Sequence, residues 1–143
     1  MISNSSKYAV KAVLYLALNS SESHKILAKD ISSPTNIPKA YLAKVLQELS
    51  RHNIVSSVKG PGGGFYLSED NKKIPIMKII HVIDGDNRLT SCMLSLQECD
   101  EENPCPMHDL VGNTKVNFVK NLEQNTVEDL VEDIREGKSF LPL

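Results

Sequence analysis

Tryptophan is absent from this 143-residue chain, and aromatic residues make up only 5% of it. The core must therefore be built mainly from Leu, Ile, Val and Ala. Long hydrophobic runs are missing too. None approaches the roughly 18 residues that a membrane-spanning helix needs, so no membrane partner is expected. The stretch from Met1 to Tyr8 is polar and lacks the apolar centre of a signal peptide, which makes the cytoplasm the expected location. Cysteine is scarce, with three in all. An odd number argues against a pure disulfide framework, and no Cys-x-x-Cys is present to suggest a thiol-redox enzyme. No paired acid–base constellation appears either, since Asp84 and Asp86 read as turn residues around Gly85. His24, His52 and His81 have no partner pattern and read as structural or surface residues. An enzyme is not expected.

What remains is ordinary for a globular domain, with 41% hydrophobic and 24% charged residues. A chain of this length buries about 68–70% of its unfolded surface. The net charge of −2 conceals an asymmetry. Residues 1–80 hold 11 Lys and Arg against 5 Asp and Glu, and residues 81–143 hold 5 against 13. A basic first half suits a polyanion partner for that half alone, against the plainer reading of two solvated faces.

Apolar residues at helical spacing predict a helix over Lys7–Asn19, through Val10, Val13, Leu14 and Ala17. A very short strand is expected at His24–Leu27, and a short helix over Leu27–Ser32 that ends before Pro34. A stronger helix opens at Ile37-Pro38 and carries Tyr41, Leu42, Val45, Leu46 and Leu49 on one side, with Asn53 as its C-terminal cap. Ile54–Val58 and Phe65–Leu67 read as two strands joined by a glycine-rich turn. Helices are further expected over Pro75–Ile83, over Pro106–Leu122, and from Thr126 to Glu136, the last opened by a capping box and stopped by Gly137. The fold class is mainly α with a small β-hairpin wing: a winged helix-turn-helix plus a long C-terminal helix. Three segments follow: residues 1–83 for nucleic-acid binding, 84–108 as a cysteine-rich loop, and 109–143 carrying the long helix and a short terminal one.

That order suits double-stranded DNA. A helix fits the major groove, and polar side chains near its N-terminal end read base edges. On the helix after Pro38 the candidates are Lys39, Ala40, Ala43 and Lys44, where Lys can reach a base or a phosphate and Ala permits close approach. The plainer alternative is a solvated amphipathic face. The hairpin tip Lys59-Gly60-Pro61-Gly62-Gly63-Gly64 holds four glycines in five residues, which is costly in chain entropy. A backbone that must lie close to a phosphate or a groove floor explains the cost. Lys59, Gly60, Gly62 and Gly63 are therefore candidate DNA contacts. A nucleotide-binding loop would need a Gly-Lys-Ser/Thr ending and a following helix, and neither is present.

Cys92, Cys99 and Cys105 are spaced C-x6-C-x5-C, and His108 follows as C-x2-H. Three thiolates and an imidazole form a complete ligand set for zinc or for an iron–sulfur cluster. Spacing alone does not separate the two. Cys105 is expected at the N-cap of the long helix, with Pro106 at its first position, where the helix dipole favours a thiolate.

These pieces together resemble the IscR/NsrR family of bacterial transcription regulators over nearly the whole length. The matching residues are Tyr8-Ala9-Val10-Lys11-Ala12, Tyr41-Leu42, the wing string from Val55 to Gly64, and the three cysteines. The resemblance implies a homodimer built on the long helix and pseudo-palindromic operator DNA. It implies an iron–sulfur cluster, 2Fe–2S by preference and 4Fe–4S as the other form, held by Cys92, Cys99, Cys105 and His108. It further implies a repressor whose operator affinity responds to nitric oxide, redox state or iron–sulfur status. NsrR-like members use an Asp of the first helix as fourth ligand, and Lys7 stands at that place here, which leaves the role to His108. The first cysteine spacing, x6, is one residue longer than the family's x5. The alternative on the same fold is a zinc-bound or thiol-based redox-responsive regulator without a cluster.

Overall fold

The computed structural model describes residues 2–143. Helix α1 (Asn4–Asn19) starts three residues earlier than its apolar pattern suggests, because the Ser3 side chain accepts from the Ser6 N–H and caps it. Its Ala9, Ala12, Val13 and Leu16 are fully buried. This helix is the axis of the molecule and is touched by most of the others.

Helix α2 (Ala28–Thr35) runs through Pro34 instead of ending before it. The expected stop fails because Pro34 lies in the last turn. There its missing N–H costs a single helical hydrogen bond, and Asn36 at φ 57° then ends the helix. Helix α3 (Lys39–Arg51) has Pro38 just outside it, at the N-cap, and Asn53 follows its end in the left-handed conformation. Leu42, Val45, Leu46 and Leu49 face the core as the periodicity predicts.

Strands β1 (Ser56–Val58) and β2 (Gly64–Tyr66) form an antiparallel hairpin, with Ser56 opposite Tyr66 and Val58 opposite Gly64. The expected strand at His24–Leu27 is reduced to two isolated bridges, His24 with Ser21 and Ile26 with Phe65, the second an exchange of two backbone hydrogen bonds. A short helix not foreseen in the sequence, α4 (Glu69–Lys72), follows the hairpin. It is held by a Ser68/Asn71 capping box, and Asn71 is buried, binding Ser56 and the Asn53 carbonyl.

Helix α5 (Ile76–Asp84) packs Ile76, Met77, Ile79 and Ile80 inward and ends at Gly85. Residues 85–107 are irregular, with one bridge between Ser91 and Glu98. Helix α6 (His108–Gln124) has no fully buried residue; Phe118, Val119 and Leu122 lean on the core from one side. Helix α7 (Val127–Arg135) opens with the expected Thr126/Asp129 capping box and ends before Gly137 at φ 76°. Its Val127 and Val131 close the core against α1. Among the described residues, no helix is long and apolar enough to cross a membrane.

Candidate functional site

Two regions carry chemistry. The first is the α3 face and the hairpin. Lys39, Ala40 and Lys44 are exposed on α3, while Ala43 is half-buried. At the hairpin tip Lys59, Gly60 and Gly62 are exposed and Gly63 is half-buried. The tip is a tight turn closed by the Gly63 N–H donating to the Gly60 carbonyl at 2.9 Å, with Pro61 and Gly62 between them. Gly62 sits at φ 73°, as a type II turn requires after proline. Gly63 is needed for a different reason. A Cβ there would lie 2.2 Å from the Val58 carbonyl oxygen. A Cβ on Gly64 would likewise lie 2.9 Å from the Ile26 carbonyl oxygen, where β2 lies against the preceding loop. Lys25 stands over the Tyr66 ring, 5.6 Å from its centroid, at the base of the same hairpin.

Tyr41 on α3 packs edge-on against Tyr8 of α1 and hydrogen-bonds the Ser5 hydroxyl. At the other end of this contact, the Ser3 N–H and hydroxyl both donate to the Asp84 carboxylate. Burial alone would raise the Asp84 pKa. The Ser3 donors, with help from Ser6 and the Arg88 charge, outweigh it and hold the carboxyl below its usual range. The last residue before the cysteine loop is thereby fastened to the first turn of α1.

The second region is the cysteine loop. Cys92 and Cys105 lie with their sulfurs 3.5 Å apart. Two sulfurs bound at about 2.3 Å to one tetrahedral ion would be separated by about 3.8 Å, so this pair has the spacing of two ligands on one metal. The Leu94 N–H also points at the Cys92 sulfur, at 3.5 Å. That donor first, and the Cys105 sulfur second, hold the Cys92 thiol below its usual range. Cys99 is a weaker hydrogen-bond partner of the Cys92 thiol, and its own sulfur lies 3.8 Å from the Lys115 ammonium.

All three cysteines and His108 line one cavity of about 180 Å³, together with Ser95, Glu98 and Asp100. The donor chemistry therefore fits zinc or a cluster. The side chains are not closed around a point, however: among the described residues, no three His, Cys, Asp or Glu groups converge as metal ligands do. The expected helix cap at Cys105 is also displaced. Helix α6 begins at His108, and Cys105 lies in the preceding turn, its carbonyl accepting from the His108 N–H at 2.9 Å. The dipole of α6 thus opens on Met107 and His108 rather than on the thiol.

Lys115 was not legible as a site residue. Its only sequence signal is that it stands seven places after His108, two turns along the same helix face. The fold brings it to the loop.

A helix-turn-helix followed by a glycine-tipped wing, with a cysteine loop leading into a long exposed helix, defines a winged-helix DNA-binding regulator rather than an enzyme. The chain belongs to the Rrf2 family, described as "Iron-dependent Transcriptional regulator", whose sequence pattern matches residues 2–133. An HTH-type transcriptional regulator of Aquifex aeolicus is 35% identical over 98% of this chain and 96% of its own length. The HTH-type transcriptional regulator IscR of Photorhabdus laumondii is 32% identical over 92% of this chain and 79% of its own. Among solved structures, CymR, the global cysteine regulator of B. subtilis, superposes with a TM-score of 0.73. It is 24% identical, and the match covers 92% of this chain and 96% of that one, which is a likeness of fold.

Proposed function

We propose that this regulator binds operator DNA as a two-fold pair of chains, and that its affinity is set by the state of Cys92, Cys99 and Cys105. The observation that carries the second part is the Cys92–Cys105 pair, with sulfurs 3.5 Å apart and the Cys92 thiol shifted toward thiolate. Thiolates are the reactive and metal-binding form of cysteine. The first reading is a thiol-based or zinc-bound switch. With hydrogen peroxide as oxidant, the Cys92 thiolate attacks one peroxide oxygen and takes it up as a sulfenic acid, and the departing hydroxide takes the proton the thiol had lost and leaves as water. The Cys105 thiol then displaces that hydroxyl as a second water and forms the disulfide. Two thiols lose two electrons and two hydrogens, and one peroxide becomes two waters.

The second reading is an iron–sulfur cluster. It is favoured by the common cavity of the three cysteines and His108 and by the relatives that carry the IscR name. Those four residues would hold it, and the group would supply sensitivity to nitric oxide, redox state or iron supply. The expected DNA contacts are Lys39, Ala40, Ala43 and Lys44 in the major groove, and Lys59, Gly60, Gly62 and Gly63 at the backbone or minor groove. Pairing of chains is supported by the outward apolar side chains of α6, where Leu110 is 72% and Val116 65% exposed.

The test is anaerobic purification with an absorption spectrum, iron, sulfide and zinc analysis, and DNA titration before and after peroxide. A colourless protein that loses two of three titratable thiols on peroxide, with altered DNA affinity, supports the first reading. Broad visible absorption with near-equal iron and sulfide moves the assignment to the cluster. DNA affinity indifferent to metal, sulfide and peroxide alike removes the cysteine site from the regulation.

A further inference from the structure

Lys115 sits in the middle of α6, and its ammonium makes three contacts, all with the cysteine loop. It donates to the Ser91 carbonyl at 2.5 Å, to the Thr90 carbonyl at 3.2 Å and to the Cys99 sulfur at 3.8 Å. A lysine ammonium has three N–H donors and no acceptor, so these contacts use its full capacity. Their placement is informative. Thr90 and Ser91 precede Cys92 on the incoming arm of the loop, while Cys99 stands on the returning arm beyond the Ser91–Glu98 bridge. One cation therefore clips both arms together and to the helix. The partners lie 16 to 25 residues away in sequence, so this tie is made by the fold and not by a local turn. The loop's outgoing end needs no such tie, because Cys105 runs directly into α6 at His108.

Thiol chemistry reaches this set at two places. Cys92 follows Ser91 directly, so a Cys92–Cys105 disulfide shifts the arm that carries the Ser91 carbonyl, while metal binding would change the charge and position of the Cys99 sulfur. Either change disturbs one of the three partners that hold the ammonium. We propose that Lys115 is the latch that fastens the cysteine loop to α6, and that its release or retention passes the state of the thiols to that helix. This rests on the reading of the cysteine site given above. Lys115 is a positioning residue in this scheme, since it acts through the loop and not on DNA.

The experiment compares wild type with Lys115→Met, which keeps the length of the side chain without its donors, and Lys115→Arg, which keeps a charged donor. Amide hydrogen exchange over residues 90–99 reads the latch directly. DNA affinity of reduced and peroxide-treated protein reads its transmission. The expected result for Lys115→Met is exchange in the loop faster by roughly tenfold, from loss of charged hydrogen bonds. Its two DNA affinities should fall within about twofold of each other, with unchanged exchange in α1 and α3. Lys115→Arg should restore both readouts. Unchanged loop exchange in Lys115→Met overturns the latch. Faster exchange with the wild-type difference in DNA affinity intact overturns its role in transmission. If wild type itself shows no difference between the two states, the thiol reading of the cysteine site fails. The exchange result then still decides whether Lys115 holds the loop, but the transmission role falls with that reading.

Discussion

Substituting Gly63 by alanine puts a single methyl group where the hairpin has no room for one. The added Cβ would stand 2.2 Å from the Val58 carbonyl oxygen and 2.8 Å from that of Gly60. Cβ atoms essentially never come closer than 3.0 Å, so the turn must open by at least 0.8 Å, the difference between 3.0 and 2.2. Both obstacles are backbone, and no side chain can swing away. Opening the turn sacrifices the Gly63–Gly60 hydrogen bond and the adjoining Val58–Gly64 pairing. At a net 0.5–1.5 kcal/mol for each bond, the wing loses about 1–3 kcal/mol of order. Gly62→Ala is the matched control, because its Cβ meets nothing within 4 Å and only the φ of 73° is unfavourable, at about 1–2 kcal/mol. The hairpin is peripheral, so its loss is a local opening and leaves the unfolding of the helical core nearly unchanged. The assay is fluorescence anisotropy with mixed-sequence duplex DNA at two salt concentrations, alongside amide exchange of Val58 and Gly64–Tyr66. Gly63→Ala should deprotect those amides and weaken DNA binding by about tenfold, equivalent to 1.4 kcal/mol, with Gly62→Ala between it and wild type. Wild-type DNA affinity together with an open hairpin would remove the wing from the interface. Wild-type protection of the hairpin would refute the steric argument itself.

Lys59→Ala should weaken binding to all duplex sequences alike and lower the salt slope by about one unit, measured by titration over a salt series; an unchanged slope removes Lys59 from the phosphate contacts. Asp84 has a depressed carboxyl, so its contribution is present above the unfolded value near 3.9 and is lost as pH falls through the lower folded value. Asp84→Asn should therefore lower stability at pH 7 by less than about 1 kcal/mol and make acid unfolding shallower, read by urea denaturation from pH 7 to pH 3. Thr126→Ala removes one half of the α7 capping box and should cost about 0.5–2 kcal/mol in the same denaturation assay.

The elements that could be read from the sequence are those in which one local rule dominates. Helix α3 shows its apolar stripe at Leu42, Val45, Leu46 and Leu49, and α7 announces itself through Thr126, Asp129 and Gly137. The wing was legible because no other element uses four glycines in five residues. The errors fall where a cap, a position within the last turn or a tertiary contact decides what periodicity does not. Helix α1 gains its first turn from Ser3, whose hydroxyl is also held by Asp84, 81 residues away. Helix α2 tolerates Pro34 because only its final turn is affected. Helix α4 is four residues long and exists through the Ser68/Asn71 box and the bonds of Asn71 to Ser56 and Asn53, none of which is a periodic pattern. The cysteine set was visible as residue types and spacing. Its arrangement as a close pair plus a third thiol under Lys115 depends on how the irregular segment folds back on α6, which spacing does not encode.

Helix α6 offers a different lesson. It has no fully buried side chain and leans on the core only through Phe118, Val119 and Leu122, whereas most helical stability in proteins comes from packing of an apolar face. Under the paired arrangement proposed above, each chain supplies the surface that steadies the other's copy of this helix, and with it the platform on which the cysteine loop rests. The abundance of the protein then becomes a second input beside the chemical signal, because mass action governs how many platforms are complete. On that reading, a smaller stock of the regulator also leaves more copies of the proposed cysteine switch without their support.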